Sequence, residues 1–351
     1  MHAGPIERIR EEIRTSGPLT FARFMELALY GEGGYYAAPP VGPQGDFVTS
    51  PHVHPVFAVM LGRAIRQIHA SLEEPAPFRI VEAGAGDGTL ARGLLEVLTD
   101  LPLAYATVDV SPGAREALGE VPGIAAVGGM VEAPFDLLIA NELLDNLPFR
   151  LVRDGVEIGI GLDAGGDLVE EALGVTDVVA LARAEEEIVP IGALAFVDRI
   201  AAALLDRPGC ALLIDYGSDE GTGGPLHGYS AQTIIEDVLA APGQTDITAG
   251  VDFGWIGARA EQAGVTAFPT VGQREALLAL GFASWFEEQL AAQQAQLAER
   301  DAMGAVRTWS AKSRASLLAD PAGLGRFRWL LLASPGLTAP PWHREAAAEP
   351  Q

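Results

Sequence analysis

The stretch FRIVEAGAGDGTLARGLLEVL, from Phe78 to Leu98, constrains this chain more than any other. It opens on an apolar run, turns through Gly84, Gly86 and Gly88, and continues with Leu90, Leu94 and Leu95 at helical spacing. A strand that passes through a glycine turn into a helix is the first half of a βαβ unit, and such units demand a parallel sheet covered by helices. Glycine also lets the backbone turn sharply and lie close to a ligand. A tight turn without a ligand can use the same spacing, so the loop has to be read in context.

The context is more of the same alternation. LAYATVDV is a second strand that ends near Asp109, and SPGAREAL begins the helix after it. A third short strand falls near IAAVGG, a fourth is FDLLIANELLD, a fifth is CALLIDYG, and FRWLLLA is the last. Asp154 and Gly155 mark a β-hairpin turn, and residues 193–206 form an amphipathic helix. Ahead of the core, Ile6, Ile9 and Ile13, then Phe21, Phe24, Met25 and Leu29, recur at helical spacing, with Thr20 as a helix N-cap. The Gly/Pro-rich stretch 31–55, with Tyr35, Tyr36 and Phe47, is too long for a simple linker, and loops of that kind carry function. The fold class expected is α/β, a doubly wound, Rossmann-like core. Residues 1–70 form a helical N-terminal cap with that loop. Residues 71–217 form the core, 218–300 an inserted lobe that covers the crevice, and 301–351 a C-terminal helix, the last core strand and a tail frayed from Pro335.

Charge narrows the partners. Asp and Glu number 47 against 23 Lys and Arg, a formal net charge of −24. Such a field repels phosphate backbones and excludes nucleic acid as a partner. It attracts a basic protein or a cationic substrate, although composition bias toward solubility gives the same number. No apolar run reaches the roughly 18 residues of a membrane span, so no membrane partner is expected. The N-terminus shows no secretory pattern. The lone cysteine, Cys210, sits in a strand where a thiol is buried and inert. A cytoplasmic setting is expected, and a homodimer is left open. His52 and His54 lie two apart with no third ligand near them, so no metal site is expected.

Two cofactor classes use a glycine loop of this kind. In dinucleotide enzymes the helix N-terminus holds a pyrophosphate. Here Glu82 and Asp87 flank the turn, and their carboxylates would repel a pyrophosphate. They suit a ligand carrying an ammonium and a sulfonium, which is S-adenosyl-L-methionine. Asp109, followed by Val110 and Ser111, stands where a carboxylate accepts hydrogen bonds from ribose hydroxyls. Asn141, Glu142 and Asp145 follow the fourth strand, at the sheet edge where a methyl acceptor would sit. Carboxylates there can grip a guanidinium bidentately. A hydroxyl acceptor would need a base, for which His52, His54 and His227 are candidates, each also readable as a loop histidine. Asp145 is also readable as a cap for the following turn.

These motifs together resemble the MidA-like family of S-adenosylmethionine-dependent methyltransferases, which includes a mitochondrial arginine methyltransferase that assists complex I assembly. The resemblance runs from about Gly17 to Leu331 and rests on GPLTFARFMELALYGEGGYY, GDFVTSP, ANELLDNLPFR and PGQTDITAGVDF. The glycine loop itself is shared with most methyltransferases. The resemblance implies a seven-stranded methyltransferase core, with Glu82, Gly84 and Gly86 as the cofactor loop and Asp109 as the ribose acid. Gly45, Asp46, Phe47, Thr49 and Ser50 match a signature that closes over the cofactor, and Asn141 and Glu142 match the segment beside the transferring methyl. Asp215, Asp246 and Asp252 match further acidic positions without an assigned role. The sequence departs from the family at His52, at LHGYSAQTI, at Val271-Gly272-Gln273, and at Gly128, Gly129 and Met130, which replace an acid that contacts adenine. The acceptor implied is an arginine of a protein, a respiratory-complex subunit among the candidates. Altered acceptor-side positions leave a small-molecule O- or N-methyltransferase and a non-catalytic assembly factor as alternatives.

Overall fold

The computed structural model describes residues 4–37, 49–119, 121, 123–127, 134–184, 186–221, 226–230 and 233–348. Its central sheet runs in the order Thr266–Ala267, Arg328–Ala333, Cys210–Asp215, Leu137–Asn141, Phe78–Ala83, Leu103–Val108, Ile124–Val127. Val271–Gly272 pairs further along the same edge of Arg328–Ala333, so the sheet is seven strands wide, as expected. Strands from Cys210–Asp215 to Ile124–Val127 are parallel, and Arg328–Ala333 is antiparallel to Cys210–Asp215.

Both faces of this sheet are covered, which is why its strands read as nearly continuous apolar runs. Successive side chains point to opposite faces. Ile80 and Leu212 go to one side, with Phe57, Leu61 and Ile65 of helix Val56–Ser71 and Leu94 of helix Thr89–Val97. Val81 and Leu213 go to the other, with Phe196 and Ile200 of helix Ile191–Asp206 and Ile256 of helix Phe253–Gln262. Cys210 is buried in the sheet, and burial pushes its thiol up to about 12. Thr20 caps helix Phe21–Met25 through the Arg23 amide, as expected.

The domain boundaries differ from the expected ones. The hairpin Arg150–Arg153 and Val156–Leu162 forms, turning at Asp154 and Gly155, both at positive φ. It does not extend the core. With Leu19–Thr20, Leu168–Gly174 and Glu186–Val189 it builds a separate antiparallel sheet, which buries Phe149 and Ile160 against Ile9 and Phe24 of the N-terminal helices. The span 71–217 therefore holds a core and part of a second layer. The span 218–300 divides likewise: Phe253–Gln262, Thr266–Ala267 and Val271–Gly272 belong to the core, while Phe282–Ala298 pairs with Ala302–Ser316 as a helical hairpin. Local periodicity shows that a strand exists but not which sheet receives it. The expected fraying from Pro335 is also corrected: Pro341–Ala348 is a helix whose Trp342 is 1% exposed and packs edge-on against Trp329. No described helix is long and apolar enough to cross a membrane.

Trp342→Ala should therefore lower unfolding free energy by about 3–5 kcal/mol, the usual loss for emptying a buried aromatic site. Urea denaturation reads this directly, and an unchanged midpoint would mean that the C-terminal helix is not part of the core.

Candidate active site

The register of the central sheet places the site. Ala83 pairs with Val108 on one side and Ala140 on the other, so Gly84, Asp109 and Asn141 leave the sheet at one edge. Strand order reverses between Phe78–Ala83 and Leu137–Asn141, and an open parallel sheet binds ligands at such a point. A cavity of ≈ 410 Å³ opens there. Gly84 lies at φ 69°, and a Cβ on it would stand 2.8 Å from Cδ1 of Leu143. A larger residue at Gly84 would be strained and would collide with the acceptor-side turn.

On the loop side, Glu82 is 3% exposed and accepts a 2.6 Å hydrogen bond from the Tyr105 hydroxyl. Burial, with Asp109 and Asp87 nearby, pushes its carboxyl up to about 7. Asp109 accepts from the Gly86 amide at 3.0 Å and the Ser111 amide at 2.8 Å, and burial raises its pKa. Asp87 lines the cavity as well. Its oxygens take hydrogen bonds from the Thr89 amide and hydroxyl at 2.9 Å, and Oδ2 also meets His52 Nε2 at 3.0 Å. Burial opposes that charge, but the His52 and Thr89 bonds outweigh it and hold the carboxyl down at about 2. Asp87 thus also ties the glycine loop to the Ser50–Val53 turn. Val110 and Ser111 line the cavity, and Ser111 also accepts from the Ala114 amide.

On the opposite side, Glu142 adopts φ 54°, an unusual value for a residue with a side chain. Its Oε1 accepts from the Ser50 amide at 2.9 Å and Asn141 Nδ2 at 3.2 Å, and burial pushes its carboxyl up to about 7. Asp145 accepts from the Thr248 hydroxyl on Oδ2, and burial raises it to about 6. Capping of this turn falls to Asp215, whose Oδ2 accepts from the amides of Leu143, Leu144 and Asp145. Asp246 accepts from Tyr36 and Asn146, and burial with Asp145 nearby pushes it up to about 7. Asp252 caps helix Phe253–Gln262, away from the cavity.

Of the expected residues, Glu82, Gly84, Gly86, Asp87, Asp109, Val110, Ser111, Thr49, Asn141, Glu142 and Asp145 all line this cavity. Ser50 does not; its hydroxyl faces Gln273, and only its amide serves the site, through Glu142. Gly45, Asp46, Phe47, Gly128, Gly129 and Met130 lie outside the described residues. His52 reaches the wall, whereas His54 packs on Trp285 and His227 lies near Tyr216 and Tyr229. Tyr30, Tyr36, Asn146 and Phe196 line the wall without having been expected. The two tyrosines stack at 5.5 Å; Tyr36 lies in the Gly/Pro stretch that hinted at function, and Tyr30 just ahead of it.

The donor set decides what fits. Six carboxylates line the cavity, and among the described lining residues there is no Arg or Lys. The buried Oδ1 atoms of Asn141 and Asp145 have no hydrogen-bond partner. Buried acceptors left unpaired cost free energy, so the cavity suits a cationic, donor-rich ligand. S-adenosylmethionine meets that description, and Glu82, Gly84, Gly86 and Asp109 are the residues that would hold it.

Comparison with known proteins agrees. The family described as S-adenosyl-L-methionine-dependent methyltransferase (Methyltransf_28) matches residues 60–271. The mitochondrial protein arginine methyltransferase NDUFAF7 of Mus musculus is 28% identical over 325 residues, 79% of this chain and 74% of that protein. Its Drosophila melanogaster homolog is 28% identical over 307 residues, 72% and 69% of the two chains. Both relatives are mitochondrial by name, which lends the expected cytoplasmic setting no support. A COG1565 superfamily protein of Burkholderia thailandensis, crystallised with S-adenosyl-homocysteine, superposes with a TM-score of 0.81 at 28% identity, covering 97% of this chain and 94% of that one.

Calorimetric titration should show saturable binding of S-adenosylmethionine, lost in Gly84→Val. Because burial holds Glu82 up at about 7, a cation bound beside it draws its proton off. Affinity should rise from about pH 6 to about pH 8 with net proton release, then level. Binding that is flat across this range would show that the raised carboxyls do not face the cation.

Proposed function

The chain belongs to the S-adenosylmethionine-dependent methyltransferase family that its sequence matches, and from that premise we propose that the acceptor is an arginine guanidinium presented by a protein. One observation carries the reading: Glu142, Asp145 and Asp246 add a second group of carboxylates beyond the cofactor loop, with no Arg or Lys among the described lining residues to neutralise them. The loop-side carboxyls have the cofactor's charge to answer. The acceptor-side group calls for a second cation. The relatives' being named protein arginine methyltransferases points the same way.

The cofactor supplies a methyl group on a sulfonium, ready for in-line displacement. What the protein contributes is placement and dryness. Glu142 has both hydrogen bonds on Oε1, so its second oxygen is available to a guanidinium N–H. Asn141 Oδ1 is a further acceptor beside it. The stacked rings of Tyr30 and Tyr36 offer an aromatic wall that a planar cation can lie along. Rising pH ionises Glu142 and Asp246 through about 7, so cation binding strengthens in that direction. The net charge of −24 draws a basic protein segment toward the site.

With labelled S-adenosylmethionine, the protein should label an arginine-containing peptide and leave its lysine counterpart unlabelled. Glu142→Gln should lower kcat roughly a hundredfold, the scale of removing one positioned charged partner. Label appearing on hydroxyl compounds but never on guanidine would sink the guanidinium reading and favour small-molecule methylation.

A further inference from the structure

Methylation of a nitrogen that carries hydrogen forms one N–C bond and breaks the donor's S–C bond, leaving its electron pair on sulfur. It also sets one proton free from that nitrogen. A base at the wall of a cavity filled by two substrates is helped by a second outlet for that proton.

We propose that Asp145, Thr248 and Tyr216 form that outlet, with Asp145 taking the acceptor's proton and the two hydroxyls carrying it toward solvent. The inference rests on the methyl-transfer reading above, but only on the acceptor bearing an N–H or O–H. The two oxygens of Asp145 face different surroundings. Oδ1 is buried, unpartnered and part of a residue that lines the cavity. Oδ2 accepts from Thr248 Oγ1 at 2.7 Å. Thr248 Oγ1 lies 2.8 Å from the Tyr216 hydroxyl, and either atom can donate. Thr248 is 1% exposed, whereas Tyr216 is only partly buried and does not line the cavity. The three side chains therefore run from the cavity wall through the interior to a residue that is only partly buried.

The proton balance is simple. Asp145 takes the proton on Oδ1, and its carboxyl turns to present it to Thr248. Thr248 accepts it and passes its own hydroxyl proton to Tyr216, which releases one to water. The hydroxyls then turn back, and Asp145 is a carboxylate again. The titratable groups facing Asp145 are Glu142, Asp215, Asp246, Tyr30, Tyr36 and Tyr216, all anionic or neutral. Burial lifts the Asp145 carboxyl to about 6, close enough to neutrality for it to take and give up a proton. Thr248 and Tyr216 act through Asp145 and are positioning residues for the reaction.

The test uses the full chain with labelled S-adenosylmethionine and two probes side by side, an arginine peptide and catechol. Thr248→Val keeps the shape and removes the hydroxyl, and Tyr216→Phe removes the second. Each should lower kcat about tenfold or more on whichever probe is labelled, with KM and cofactor affinity unchanged and a larger solvent deuterium isotope effect. Thr248→Ser, which restores the hydroxyl, should recover most of the rate. Val and Phe variants that keep both kcat and the isotope effect would overturn the outlet. The probe that takes the label reports separately on the guanidinium reading: catechol labelled and the peptide not would end that reading, while the variant-to-wild-type ratio still judges the outlet.

Discussion

Asp215 holds the acceptor side of the site together. One oxygen of its buried side chain receives the amides of Leu143, Leu144 and Asp145. Those amides would otherwise be orphans at the end of Leu137–Asn141, and unpaired buried donors are costly. Gathering them on one oxygen bends the chain sharply after the strand and leaves Glu142 at positive φ. It sets Leu143 against Gly84, so the turn and the glycine loop fit only while position 84 has no side chain. It also aims Asn141, Glu142 and Asp145 into one cavity. The price is electrostatic: burial, then Asp145 and Glu142, raise the pKa of Asp215 well above the ordinary carboxylate range.

That cost recurs around the cavity. Glu82, Glu142, Asp145 and Asp246 are all raised, each chiefly by burial. A protein does not gain stability by concentrating carboxyls in a poorly solvated space, because ionising them there is opposed by desolvation and by one another. The arrangement is intelligible as ligand binding, where cations supply the missing counter-charge. The contrast with Asp87 sharpens the point. Its hydrogen bonds from His52 and Thr89 keep it ionised, and it serves to join the Ser50–Val53 turn to the glycine loop.

His52 supplies the junction between the N-terminal segment and the glycine loop. It spans Thr49 through Nδ1 and Asp87 through Nε2, so its ring links two segments remote in sequence. Ser50 supports the same junction from behind, its amide on Glu142 and its hydroxyl toward Gln273. The N-terminal segment thereby touches both halves of the site, one through Asp87 and the other through Glu142.

Much of this was legible in the residues themselves. The glycine loop, the parallel strands, Asp109 and the ANELLD segment follow from periodicity and from where a βα turn puts its glycines, because these are local properties. The carboxylates at Glu82 and Asp87 flank the glycine turn in the sequence itself, and they pointed to a cationic ligand before any geometry was known. Tertiary structure alone decided that the 150–189 strands leave the core for a second sheet, that the C-terminal helix buries Trp342, and that Ser50 turns away from the cavity. It alone gave Asp215 its capping role, clasped Asp87 to His52, and brought Tyr30, Tyr36, Thr248 and Tyr216 to the acceptor side. The physical reason is the same in each case: strand pairing, burial and hydrogen-bond partners join residues dozens to hundreds of positions apart, and a local pattern carries no record of the partner it will meet.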